Sequence, residues 1–258
     1  FDSPQTGSRK HSLETFFNTF FDFSFMADHF GEILAGFWIT IKLSLVGGFF
    51  ALIWGLILSL LRQLPGKWFA PVRWLTIGYI DALRGIPLLL VILLLSSGMA
   101  TLASEGTIPR EIGIPQWFGE PDPFWYGVIA LTVTYGAYMA EVYRSGIEAV
   151  PRGQMEAARS LGMSHGQSMR FIIVPQAIRK VVPPLLNDFI ALTKDTALIS
   201  VLGLVETVQV GSDLYSTFYN PSGYTAGAFL FLILTLPLAR LVDWQIKRQD
   251  EKFQRGIP

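Results

Sequence analysis

Five apolar runs set the plan of this chain: residues 33–61, 74–99, 124–143, 182–204 and 224–244. About 20 helical residues cross roughly 30 Å of hydrocarbon, so every run is long enough to span a bilayer. The first, interrupted only by Lys42, has length to spare for tilt. The second carries Asp81, Arg84 and Pro87. The fourth opens on Pro183 and Pro184 and holds Asp188, Lys194 and Asp195, which predicts a bend or break near its middle. The expected fold is an all-α integral membrane protein with five transmembrane helices.

Charge orients these runs. Segments 62–73, 144–180 and 240–258 carry 3, 6 and 5 Lys/Arg, against 1 and 0 in 100–123 and 207–222. Basic loops stay in the cytoplasm, which puts the N-terminus outside, the C-terminus inside and the acidic loop with Glu105, Glu111, Glu120 and Asp122 outside. The chain then divides into an extracytoplasmic or interfacial segment 1–32, a membrane domain 33–245 and a cytoplasmic tail 246–258. Phe16, Phe17, Phe20, Phe21, Phe23 and Phe25, mixed with Glu14, Asn18 and Asp22, read either as a helix or aromatic belt in the outer interface or as a partly ordered tail.

Trp38, Trp117, Trp125 and Trp244 read as interfacial anchors, and Lys42 as snorkelling outward. Thr40, Ser44, Gly48, Gly55 and Ser59 place small residues at near-helical spacing on the first span, as a close helix–helix contact requires. Composition agrees with a membrane protein: 51% of residues are hydrophobic and 16% charged, too little charge for an average soluble domain. The absence of cysteine excludes disulfides, thiolate metal sites and cysteine nucleophiles.

The cytoplasmic segment 151–180 is more structured than a plain connection. Pro151 and Gly153 open it, residues 154–161 read as a short helix with Glu156 in its first turn, and Gly162 supplies a left-handed stop. Ser164 followed by Gln167 is a capping box that starts a second short helix, which Pro175 is expected to close. Arg144, Arg152, Arg159, Arg170, Arg179 and Lys180 surround it. Ala157 and Ala158 allow close backbone approach, and Met155, Leu161, Met163, Met169 and Phe171 offer adaptable apolar contacts. Such an elbow fits a groove in another protein, or packs on its own membrane helices.

Glu156-Ala157-Ala158, three residues, Gly162, nine residues, then Ile172-Ile173-Val174-Pro175 resembles the signature loop of the permease subunits of bacterial ATP-binding-cassette importers. Val174 stands where that family usually has Leu, and the resemblance covers about residues 33–245. It implies a type I importer permease in the bacterial cytoplasmic membrane, paired with a second permease, identical or homologous. It further implies that the loop grips a cytoplasmic ATP-binding subunit and that an external substrate-binding protein delivers the solute. The implied docking residues are Glu156, Ala157, Ala158, Leu161, Gly162, Met163, Ser164, Phe171 and Pro175. ATP and magnesium belong to the ATPase in this scheme, and no cofactor, metal or nucleic acid is expected on this chain.

Two further patches, Arg84-Gly85-Ile86-Pro87-Leu88-Leu89 and residues 192–200, resemble the polar amino-acid uptake branch, whose cargo includes glutamate, glutamine and basic amino acids. Many relatives have Thr at the position of Ile86. The resemblance nominates Arg84, Gly85, Ile86, Pro87, Lys194, Asp195, Thr196 and Ser200 for the substrate path. Ionised side chains in hydrocarbon cost on the order of 3 kcal/mol, so Asp81, Arg84, Lys194 and Asp195 need partners, water or a cavity. Two readings stand: ion pairs, including Asp81 with Arg84 three residues on, or ligand groups for a zwitterion beside backbone freed by Gly85 and Pro87.

The residues also argue for partners directly. Five helices are too few to enclose a solute path and bury their own polar groups. Gly66-Lys67 is followed by Trp68 and has Leu61 where a P-loop needs its first Gly, so ATP must bind elsewhere. The histidines at 11, 29 and 165 form no metal or hydrolase motif, and no catalytic role is expected. The competing functions are a stand-alone secondary carrier, which has no need of a cytoplasmic elbow, and the same importer machinery carrying a solute other than an amino acid.

Overall fold

The computed structural model describes residues 14–254, and among them every regular element is helical. The described part of α1 covers 14–20, and α2 (Phe23–Asp28) follows. Next come α3 (Phe30–Arg62), α4 (Ala70–Gly85), α5 (Leu88–Ser104), the short α6 (Arg110–Gly113) and α7 (Asp122–Glu148). The chain continues through α8 (Arg152–Ser160), α9 (His165–Ser168), α10 (Val174–Asp195), α11 (Thr207–Phe218) and α12 (Ser222–Gln254). Among the described residues, α3 and the Ser222–Arg248 part of α12 are each long and apolar enough to cross a membrane. A third span counts only if α4 and α5, which meet at 109°, are taken together.

The second apolar run is therefore two helices and not one. The residue before a proline is driven out of the α region, and Ile86 is extended (φ −92°, ψ 130°) ahead of Pro87. The Ile86 N–H closes α4 on the Ala82 carbonyl at 3.0 Å, and the Pro87 carbonyl starts α5 by accepting from Leu90 N at 2.9 Å.

The fourth run breaks near its middle as expected, although its helix starts well before the prolines that open the apolar run. Pro183 and Pro184 lie inside an unbroken α10. A proline inside a helix costs one intrahelical hydrogen bond, and the residues four positions before these two, Arg179 and Lys180, are exposed on the surface of the rod. The break comes later, where α10 tightens into the 3-10 segment Thr196–Leu202 and stops at Gly203 with φ +79°.

The centre of the molecule is the pairing of α3 with α7, and the small-residue stripe on α3 makes it close. A β-carbon on Gly47 would meet the Leu131 side chain, and one on Gly48 the Phe189 ring of α10. Thr40 Oγ1 lies 2.8 Å from Thr207 Oγ1 at the start of α11. Around this seam Leu43, Ala51, Ile92, Leu131, Met139, Leu192 and Ile199 form the main core.

Lys42 bridges to Glu120, so it does reach the acidic loop. Trp38 and Trp244 are exposed as anchors should be, but Trp125 is only 9% exposed and donates its indole N–H to the Trp117 carbonyl at 3.0 Å. It is a core residue. The described phenylalanine segment is helical and docked: the Asp22 amide donates to Ser222 Oγ at 3.1 Å, and Asn220 donates to the Asp22 carboxylate at 3.2 Å. Phe16, Phe17, Phe20 and Phe23 remain exposed beside it. The first part of the predicted interfacial segment, residues 1–13, lies outside the described residues.

Candidate docking elbow and central pocket

The elbow is built by local chemistry. Helix α8 ends in a Schellman arrangement: Met163 N donates to the Ala158 carbonyl at 3.2 Å and Gly162 N to the Arg159 carbonyl at 3.0 Å. This closure requires a left-handed residue, and Gly162 has φ +83°. One residue later the capping box forms as the spacing predicts, with Gln167 N donating to Ser164 Oγ at 3.2 Å and Ser164 N to Gln167 Oε1 at 2.8 Å. Losing such a cap costs ~1 kcal/mol. Ser164→Ala is therefore expected to accelerate hydrogen exchange at the start of α9 while leaving the membrane helices as protected as before.

Two expectations about the elbow need correction. Glu156 is not in the first turn, because α8 begins at Arg152 with Pro151 as its cap; the helix-end field fades beyond that turn. Nor does Pro175 close the second helix. α9 widens into a π segment, Met169–Ile173, which runs directly into α10 with Pro175 in its first turn. A widened turn takes up the proline ring and its missing donor without breaking the rod.

The elbow's inner face is anchored. Ala158 is buried, and Val150, Ile173 and Ala177 form a small core with Met155 and Met169 packed against it. Its outer face is free among the described residues: Leu161 is 84% and Phe171 60% exposed, and Glu156, Ala157, Gly162, Ser164 and Pro175 are exposed with them, while Met163 is half-buried.

The break between α4 and α5 opens a pocket of about 420 Å³, lined there by Arg84, Gly85, Ile86, Pro87 and Leu88. α7 contributes Thr134, Tyr135 and Tyr138 to its wall, and α10 contributes Asp188, Ala191 and Asp195. Tyr135 donates its hydroxyl to Asp195 Oδ2 at 2.8 Å, and Tyr138 donates to the Arg84 carbonyl at 3.2 Å. Asp188 Oδ2 and Thr134 Oγ1 are buried without a hydrogen-bond partner among the described residues. A cation, two carboxylates and several hydroxyls thus meet at the first turn of α5, whose amides carry partial positive charge. Arg84 does not pair with Asp81, which is exposed; its carboxylate neighbour is Glu141 at 3.9 Å.

The structure brings Arg84, Gly85, Ile86, Pro87 and Asp195 together and leaves the other nominated residues aside. Lys194 is exposed, off the pocket face. Thr196 is buried and donates to the Thr193 carbonyl at 2.7 Å, and Ser200 donates to that of Ala197 at 2.7 Å, each inside its own helical turn.

The family of binding-protein-dependent transport system inner membrane components matches residues 51–251. The chain belongs to that family. The permease is 33% identical over 231 residues to the probable glutamine ABC transporter permease protein GlnM of Bacillus subtilis, covering 89% of this chain and 99% of the relative. It is 37% identical over 214 residues to the glutamate transport system permease protein GluC of Corynebacterium glutamicum, covering 82% and 91%.

Among solved structures, the crystal structure of an amino acid ABC transporter with histidines matches with a TM-score of 0.74 and 33% identity, covering 86% of this permease and 96% of that chain. An inward-facing form of the MetNI methionine ABC transporter shares the fold, with a TM-score of 0.67 at 20% identity over 86% of this permease and 97% of that chain. The permease is thus an inner-membrane transport component with a type I importer fold.

Sequence reading passed over Thr134, Tyr135, Tyr138 and Asp188. Asp188, Ala191 and Asp195 carried a signal, since spacings of three and four residues put them on one helical face. The tyrosines carried none, because only the α4–α5 break makes their wall face a pocket.

Proposed function

We propose that this permease is the membrane subunit of an ATP-driven importer for a polar amino acid, crossing the membrane five times with its N-terminus outside and its C-terminus in the cytoplasm. The observation that carries the reading is the elbow, a rigidly capped helix–turn–helix with Leu161 exposed at its tip, in the most basic stretch between the apolar runs. Its free face suits the groove of a cytoplasmic ATP-binding subunit, which holds the ATP and magnesium; the permease itself performs no catalysis. A second permease, identical or homologous, completes the path, and an external binding protein delivers the solute. The names of the relatives support an amino acid as cargo, and so does the pocket. Arg84 suits the α-carboxylate, and Asp188 and Asp195, with Tyr135, suit the ammonium group.

The fold supplies a lever between the two sites. Ile173 and Ala177 clamp α8 to the start of the rod that α10 continues, and Asp188 stands 11 residues beyond Ala177, about 16 Å along a helix. ATP-driven closure of the partner moves α8, and α10 carries that displacement to the pocket, opening it alternately to each side.

Reconstitution with the cognate ATPase and binding protein tests this reading through uptake of labelled L-glutamine, L-glutamate and L-arginine. ATP-dependent uptake of at least one is expected. Arg84→Gln removes a charge-assisted hydrogen bond worth about 1.5–3 kcal/mol, so uptake should fall by at least about tenfold. Uptake driven by an ion gradient without the ATPase would instead make this a secondary carrier, and ATP-driven transport that ignores all three amino acids would assign another solute.

A further inference from the structure

Three guanidinium groups converge on Glu141 of α7, a carboxylate that neither candidate site includes. Arg62, the last residue of α3, bridges to Oε1. Arg144 reaches Oε2 at 2.8 Å, with its Nε also donating at 2.9 Å, and holds Glu148 at 2.5 Å. Arg84 comes only within 3.9 Å of Oε1, beyond hydrogen-bonding distance. Three cations therefore share two carboxylates, and Arg84 is the one held loosely. Its guanidinium lies 5.6 Å from the centre of the Tyr138 ring, its side chain is 41% exposed, and it lines the pocket.

We infer that Glu141 is a positioning residue that sets how strongly Arg84 holds a carboxylate in the pocket. With the pocket empty, Glu141 steadies the guanidinium at the pocket edge through a long contact. An entering carboxylate draws Arg84 away, while Arg62 and Arg144 keep the half-buried Glu141 compensated, so its charge is not left unpaired. On release Glu141 takes Arg84 back, and this competition keeps the pocket's grip weak enough for transport. The inference rests on the proposed role of the pocket.

Glu141→Gln removes the competing charge at nearly constant shape. Binding of labelled L-glutamine, L-glutamate and L-arginine to the complete complex in nanodiscs, without the binding protein, is measured beside ATP-driven uptake. The amino acid that the wild type takes up is expected to bind Glu141→Gln about twofold to fivefold more tightly, while its maximal uptake rate falls. Glu141→Asp should return both values toward wild type, and the corresponding α-carboxamide should show no gain in binding.

A purely structural role for Glu141 lowers binding and uptake together, and that result, or unchanged affinity, overturns the inference. If Glu141→Gln does not assemble, Arg62→Gln/Glu141→Gln removes the stranded cation and carries the same expectation. If the wild-type complex binds none of the three amino acids, or Arg84→Gln binds them as well as wild type, the pocket reading fails and takes this inference with it. If Arg84→Gln loses binding but Glu141→Gln leaves affinity unchanged, the inference fails alone.

Discussion

Gly162→Val is expected to cut ATP-driven uptake by about tenfold while leaving the membrane helices as stable as in wild type. Gly162 has φ +83° and nothing lies within 4 Å of the position of an added β-carbon. The β-carbon itself therefore meets no clash, and the substitution acts mainly by penalising the left-handed conformation, by roughly 1–2 kcal/mol for an ordinary residue and more for a β-branched one. Both hydrogen bonds that end α8 depend on that conformation, and so does the angle at which Leu161 is presented. The membrane core is distant from the turn in packing terms, since only Ala158 and the residues around Val150, Ile173 and Ala177 hold the elbow in place. The checks are a thermal melt in detergent beside an uptake assay. Equal losses in both would mean that the turn serves folding rather than docking.

Gly55→Val should have the opposite signature, a loss of fold ahead of any specific loss of function. A β-carbon at Gly55 would lie 2.8 Å from the Met139 Cβ, 2.9 Å from the Gly136 carbonyl oxygen and 3.1 Å from the Ala140 amide nitrogen. Two of those neighbours are backbone, which cannot turn aside, so α3 and α7 must separate along the seam that organises the main core. Overpacking of this kind costs about 1–3 kcal/mol, and valine's two methyl groups place it at the upper end. Thermal unfolding of the purified complex should move down by several degrees or the chain should fail to accumulate. Gly78→Ala, where an added β-carbon meets nothing within 4 Å, is the control and should be close to neutral.

What was legible in the sequence follows the range of the forces involved. The turn at Gly162 and the capping box at Ser164 depend on a few neighbouring atoms, and both form as read. The small-residue stripe on α3 was legible because helical periodicity states which residues share a face, and close packing follows from their size. Pro175 does not close the second short helix as its local chemistry predicts. A proline's local penalty is certain, but whether it ends a helix depends on what absorbs it, here the π turn that precedes Pro175.

The pocket was half legible. Arg84 to Pro87 and Asp195 line it, while Lys194, nominated with Asp195 by the same resembling patch, does not, because neighbouring helical residues point about 100° apart. Tyr135 and Tyr138 became visible only with the tertiary contact between α7 and the broken α4–α5 pair.

Docking of the elbow on a cytoplasmic ATPase can be tested by cross-linking, because the chain has no cysteine of its own. Leu161→Cys places a thiol on the exposed tip of the elbow, and Trp68→Cys places one on another basic-side loop, at a residue 95% exposed but outside the elbow. With single cysteines introduced along the ATPase groove, docking of the elbow gives a specific cross-link from position 161, sensitive to ATP, and none from position 68. No cross-link from 161, or equal cross-linking from both positions, would contradict it.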